Sequence, residues 1–127
     1  MIIVKDFLVK KIYTIFLKNI LYTELLSLEL KGLDSDFDLG YDAIVISDYN
    51  KGFLTIHDIA HIGKTAKCPT FLDTKKKLGD WCKNIKFIKI NTLEYLNNKS
   101  LLNTDKELLE KIIITKGPEG CMYRNKI

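Results

Sequence analysis

The pattern of apolar and polar positions changes character near residue 41. Residues 2 to 30 are rich in Ile, Leu, Val, Tyr, Phe and Thr, with a turn-like break at Lys18-Asn19. They predict two or three antiparallel strands, roughly 2–9, 11–17 and 20–30. YTELLSLEL, residues 22–30, also suits a helical period, so a helix over 20–30 is an open alternative. KGLDSDFDLGY, residues 31–41, reads as a loop.

Beyond it, Asp42 to Ile46 is the short continuous apolar run of a strand covered on both faces. Thr55 opens a helix, with Asp58 placed for a capping box and Ile56, Ile59, Ala60 and Ile62 as the buried stripe. Phe71-Leu72 is a brief strand and Lys86–Ile90 a second, after which Asn91 begins another helix. Thr104 and Glu107 make a further capping pair, and Leu108, Leu109 and Ile112 are spaced for one helical face. Ile112–Ile114 is the last parallel strand, and Cys121–Tyr123 an antiparallel one. Strand and helix alternate, so the class is α/β: a parallel sheet flanked by helices, preceded by an N-terminal antiparallel strand pair.

Composition narrows the picture. A chain of 127 residues amounts to one domain, and 46% hydrophobic residues suffice for a core. The net charge of +4 favours anions in general. No basic, aromatic-interleaved patch points to nucleic acid. Lys5, Asp6, Lys10 and Lys11 interrupt the apolar start, which reads as neither a signal peptide nor a membrane span. Three cysteines at spacings that fit no metal motif suit a reduced, cytoplasmic setting.

In an open parallel sheet, ligands bind outside the carboxyl ends of the strands. Every predicted parallel strand ends in a polar cluster. Asp48, Tyr49, Lys51 and Gly52 follow the first, and Asp73, Thr74 and Lys75 the second. Asn91 and Glu94 follow the third, and Thr115, Lys116, Gly117 and Gly120 the fourth. Lys51, Lys75 and Lys116 suit phosphoryl oxygens as point charges. Gly52, Gly117 and Gly120 let backbone N–H groups approach an anion. Asp73 and Glu94 are carboxylates able to hold Mg²⁺ through water.

Plainer readings stand beside these. Asn91 with Glu94 is a capping box by spacing alone, Lys51-Gly52 a turn, Thr115-Lys116-Gly117 a strand exit, and Asp73 a helix cap. Lys76 and Lys77 read as solvated surface. His57 and His61 lie on an exposed helix face without a third metal ligand, the cysteines are small buried hydrophobes, and Trp81 packs on the core edge.

Taken together, these segments resemble the ribokinase-like carbohydrate kinases, and most of all the heptose 7-phosphate kinases. SDYNKGFLT is similar to that family's S-D-Y-x-K-G-x-L-T segment. PTFLDTKKK resembles its strand ending in Asp-Pro-Lys, with Thr74 in place of proline. IKINTLEY carries its Asn-x-x-Glu motif as Asn91 and Glu94, and IIITKGPEGCMY its Thr-x-Gly-x-x-Gly segment. KKIYTIFLKNILYTEL resembles, more weakly, the strand pair that precedes the sheet. The resemblance covers nearly the whole chain, with four motifs in the family's order and at roughly its spacing.

The resemblance implies residues 1–127 as a partial carbohydrate kinase domain, with lid-like strands over 1–30 and an α/β core segment over 42–127. It implies transfer of the ATP γ-phosphate to a sugar or sugar-phosphate hydroxyl with Mg²⁺. Sugar phosphate and nucleotide would be the ligands, and a homodimer through the N-terminal strands a possibility. Asp48, Tyr49, Lys51, Gly52, Asp73 and Lys75 would lie on the substrate side. Asn91, Glu94, Thr115, Lys116, Gly117 and Gly120 would lie by the nucleotide, with Glu94 toward the metal. The family's glycine-rich sugar segment and its Gly-Ala-Gly-Asp segment, which carries the catalytic base, are not found, so no catalytic residue is assigned and the chain alone should not turn over. A module that binds nucleotide or sugar phosphate without catalysis is the alternative. A flavodoxin- or receiver-like domain expects an acidic pocket, against which the lysines argue.

Overall fold

The computed structural model describes residues 42–52 and 54–124, and the strand backbone at 3–4, 7–8 and 12–16. Strands β1 (Ile3–Val4) and β2 (Phe7–Leu8) form a separate antiparallel pair. A six-stranded sheet holds β3 (Ile12–Phe16), β4 (Ala43–Asp48), β5 (Thr70–Thr74), β6 (Phe87–Asn91), β7 (Ile112–Thr115) and β8 (Cys121–Tyr123), in that spatial order. Every neighbouring pair is parallel except β7 with β8. The expected α/β architecture is therefore present. One correction concerns β3, expected to pair antiparallel within the N-terminal segment. It joins the main sheet beside β4, Ile12 against Ala43 through Phe16 against Ser47. The strand expected over 20–30 lies outside the described residues.

Three helices connect the later strands. Helix α1 (Ile56–Thr65) begins with a complete capping box: the Thr55 hydroxyl accepts from the Asp58 N–H and the Asp58 carboxylate accepts from the Thr55 N–H. Ile59 and Ile62 form its buried face, whereas Ile56, expected on the same stripe, is 40% exposed. Helix α2 (Thr92–Thr104) starts at Asn91, whose side chain and that of Glu94 cap reciprocally. Helix α3 (Lys106–Leu109) is capped by Asp105, which accepts from the Leu108 N–H. The expected Thr104–Glu107 pair is thus corrected. Thr104 is the last residue of α2 and donates its hydroxyl back to the Leu101 carbonyl, and Glu107 pairs with Lys111. Of the predicted helical face only Leu108 is buried in α3; Leu109 is 38% exposed and Ile112 starts β7.

The core lies on one face of the sheet. Ile44, Ile46, Leu72, Ile88, Ile90, Ile112 and Ile114 pack against Ile59, Ile62, Leu102 and Leu108 from the helices and Leu78, Cys82 and Ile85 from the β5–β6 connection. The opposite face was expected to be covered as well. There Val45, Phe71, Phe87, Ile113 and Tyr123 are only half-buried, and none of the described helices lies on it. Its aromatic side chains cover one another instead: Phe71 stacks on Phe87 at 4.8 Å and Tyr123 meets Phe87 edge-on at 5.9 Å. Cys82 is buried and Trp81 packs on the core edge as expected, but Cys121 is exposed, since β8 ends the described sheet. No described helix is long and apolar enough to cross a membrane.

Candidate functional site

Because the strands follow one another across the sheet in sequence order, the strand order never reverses. The four parallel strands β4 to β7 therefore finish side by side. Asp48 stands in register with Thr74, and Asn91 with Thr115. The Lys75 N–H continues the ladder by donating to the Asp48 carbonyl. At the usual strand spacing of about 4.8 Å, the four ends span about 14 Å. The polar clusters read from the sequence thus share one rim.

Their detailed roles differ from the expectation at several points. Asp48 is 5% exposed and its carboxylate is fully engaged. Oδ1 accepts from the Asn50 N–H, and Oδ2 accepts from the Thr74 hydroxyl and from Lys76 Nζ, both at 2.8 Å. A residue expected to face substrate is instead an anchor beneath the rim. Lys76, read as solvated surface, folds inward to complete it, with its side chain only 13% exposed. Asp48 also holds the Tyr49–Gly52 loop, where Asn50 and Gly52 adopt left-handed conformations with φ of 56° and 84°. That turn carries Tyr49 and Lys51 outward, both exposed.

Asp73 lies on the open face, paired with Lys89 Nζ at 3.0 Å rather than capping a helix. Lys75 reaches from the end of β5 to the first turn of α2, where its Nζ lies 2.5 Å from Glu94 Oε1. Glu94 Oε2 accepts from the Asn91 N–H, so both carboxylate oxygens are held. Burial alone would push the Glu94 carboxyl up, but the Lys75 ammonium and the Asn91 N–H outweigh it and hold the pKa below the usual value. The Glu94 carboxylate in turn raises the Lys75 pKa.

The Lys116–Gly120 segment tightens into a 3₁₀ turn, Gly117–Glu119, with φ of 59° at Gly117 and 86° at Gly120. A side chain at either glycine would meet no neighbour, so the backbone conformation alone requires them. The expected amide cradle is turned inward: the N–H groups of Lys116, Glu119 and Gly120 all donate within the loop. Thr115 ties β7 to its neighbours, its hydroxyl donating to the Ile90 carbonyl and its own carbonyl accepting from Thr92, both at 3.4 Å.

Two contributors have little signal in the sequence. Asn98 is buried inside α2, its Oδ1 accepting from the Leu78 N–H and its Nδ2 donating to the Glu94 carbonyl. It fixes the connection that carries Lys75 against the helix that carries Glu94. The hint was its position four residues from both Glu94 and buried Leu102, on the inner stripe of α2. The other is Lys76, described above.

Around the rim, lysines 51, 75, 76, 89 and 116 are interleaved with carboxylates 48, 58, 73, 94 and 119, and Lys75, Lys76 and Lys89 are paired with Glu94, Asp48 and Asp73. Among the described residues no group of three or more His, Cys, Asp or Glu side chains is placed to hold a metal. Both oxygens of the Glu94 carboxylate are already occupied, so it could meet Mg²⁺ only through water. His57 and His61 are exposed on α1, as expected. No family model, curated protein or solved structure matches this chain.

Proposed function

We propose that this chain supplies the phosphate-binding rim of an ATP-dependent sugar or sugar-phosphate kinase of the heptose 7-phosphate kinase type, working in the cytoplasm. The observation that carries the reading is the common edge: adjacent strand ends bring Lys51, Lys75, Asn91, Glu94, Thr115 and Lys116 to one side of the sheet. Phosphoryl transfer depends on positioning and charge neutralisation more than on covalent chemistry. In this reading Asn91 and Glu94 take Mg²⁺ through water, and Thr115 to Gly120 border the nucleotide. Tyr49 and Lys51 face the sugar phosphate on a loop that Asp48 holds in place. Mg²⁺ would neutralise charge on the transferring phosphoryl group.

A second reading, binding without turnover, is favoured by one observation. Asp48, Asp73 and Glu94 each already hold a lysine, so none of these three carboxylates is free to accept a proton from an acceptor hydroxyl. Equilibrium dialysis with labelled ATP and with heptose 7-phosphate, alongside a labelled phosphate-transfer assay, tests both. Binding of both ligands without transfer is the result expected of the chain alone. Transfer above background removes the second reading, and failure to bind either ligand removes both.

A further inference from the structure

Strand β8 is the outermost strand of the described sheet, so one of its sides has no described strand beyond it. The backbone bonds of an antiparallel pair alternate, one residue turning its N–H and C=O inward and the next outward. The hairpin closes with the Lys116 N–H donating to the Gly120 carbonyl at 2.8 Å, and Thr115 then stands against Cys121, Ile114 against Met122 and Ile113 against Tyr123. The alternation turns the N–H and C=O of Met122 toward Ile114, and those of Cys121 and Tyr123 to the free side. Such a row of outward backbone groups is a template for another strand. Beside it lies a groove of about 440 Å³ whose lining includes Leu109, Ile114, Met122 and Arg124. The hairpin also carries two exposed charges with no ion pair among the described residues, Glu119 in its turn and Arg124 at its end.

We propose that two copies of this chain pair antiparallel along β8, about a two-fold axis at Met122, and so join their sheets into one. This register sets Cys121 opposite the partner's Tyr123. The outward groups of each copy then bond to those of the other, and both free edges are used up in a closed pair. Met122 packs on the core side of the sheet and lines the groove, so it meets the partner's Met122 there and the two grooves adjoin across the axis. Gly120 falls opposite the partner's Arg124, with Glu119 next to it. The two unpaired charges therefore meet, and symmetry makes them meet twice. A second copy fits this edge better than an unrelated strand, because the hairpin is complementary to itself in both backbone and charge. The surface lies at the opposite edge of the sheet from β3, apart from any pairing through the N-terminal strands. It also brings the partner's Arg124 to the Lys116–Gly120 loop at the end of the rim.

A three-residue strand makes a small interface, so the pair forms at high protein concentration. Sedimentation velocity of the full chain across a concentration series reads the association, and amide exchange by NMR reads its place. The wild-type chain should dimerise as concentration rises. Exchange should slow at Cys121 and Tyr123, whereas Met122 is protected at every concentration. Cys121→Pro removes one outward N–H from each copy without touching the ladder to β7, and should weaken the dimer by about tenfold. Glu119→Lys and Arg124→Glu each set like charges together at both contacts, and each should weaken it by about tenfold. Mixing these two variants should restore it, because every contact then joins opposite charges again. Circular dichroism checks that the three variants fold. A dimer that survives Cys121→Pro, or two charge variants that gain nothing on mixing, places the association on another surface and overturns the proposal. A wild-type chain that stays monomeric at every concentration, its β8 edge left open to a strand of another protein, overturns it as well.

Discussion

Replacing Asp48 or Lys76 should unfold the chain more readily than any change on the outer rim. The Asp48 side chain is 4% exposed and that of Lys76 13%, so solvent screens the pair weakly. Removing one partner of such a pair strands a buried charge, at a cost of about 3–5 kcal/mol. Asp48→Asn keeps the shape and the Asn50 and Thr74 partners, and Lys76→Met keeps the stem, so each should fall near the lower figure, about 3 kcal/mol. The double variant replaces the pair with neutral groups and leaves no stranded charge. It should cost no more than either single change, which makes the coupling energy about 3 kcal/mol. For a domain of this size each single loss corresponds to a fall in Tm of about 10 °C. Urea unfolding followed by circular dichroism gives the three values, with an unchanged m-value confirming that the unfolded state is the same. Additive single effects, or single effects below about 0.5 kcal/mol, would refute the anchor role.

Further outcomes follow from single features. Glu94 has a lowered pKa, so its share of stability is complete above the unfolded value of about 4.3 and is lost as pH falls through the folded one; Glu94→Gln should flatten the acid limb of a stability–pH curve, and an unaltered limb counts against the Lys75 contact. Gly120 has φ of 86° and ψ of −139° with open space at the Cβ position, so Gly120→Ala should cost about 1–3 kcal/mol through backbone strain alone, read by thermal unfolding. Gly63→Ala would place a Cβ 3.0 Å from Ile85 Cδ1 and 3.2 Å from the Asn84 backbone; it should destabilise the fold even though alanine is the better helix former, and a gain in Tm would show that the turn after Cys82 yields. A thiol reagent should modify exposed Cys121 first and Cys82 only on unfolding, and Cys121→Ser should abolish the fast phase.

Much of this arrangement was legible because it depends on spacing over a few residues. The Thr55–Asp58 and Asn91–Glu94 boxes are local, so the sequence placed both helix starts where they occur. The polar strand ends were legible for a related reason: in parallel strands of sequential order, whatever follows each strand meets at one edge. What was missed depends on reach or on competition. Lys76 lies in a run of three lysines with no periodic signal, and only its long stem, folded back 28 residues in sequence to Asp48, gives it a buried role. Thr104 lost the cap of α3 to its neighbour Asp105 because a threonine hydroxyl inside a helix has a closer acceptor one turn back. The pairing of β3 was hidden because an apolar five-residue strand carries no mark of its partner's direction.

The same distinction bears on the rim. A lysine count predicts an open cationic edge, but the structure pairs Lys75, Lys76 and Lys89 with Glu94, Asp48 and Asp73. Among the rim lysines, Lys51 and Lys116 have no carboxylate partner among the described residues, and they stand at opposite ends of the four strand ends. On the proposed reading, an anion attracted by either end would meet the Lys75–Glu94 contact between them. The ionic chemistry at the centre of the edge therefore turns on that one pair, whereas the Asp48–Lys76 pair beneath it serves the fold. Charge-reversal at Lys51 or Lys116 should slow association of phosphate with a strong salt dependence, and removal of Lys75 should act on dissociation.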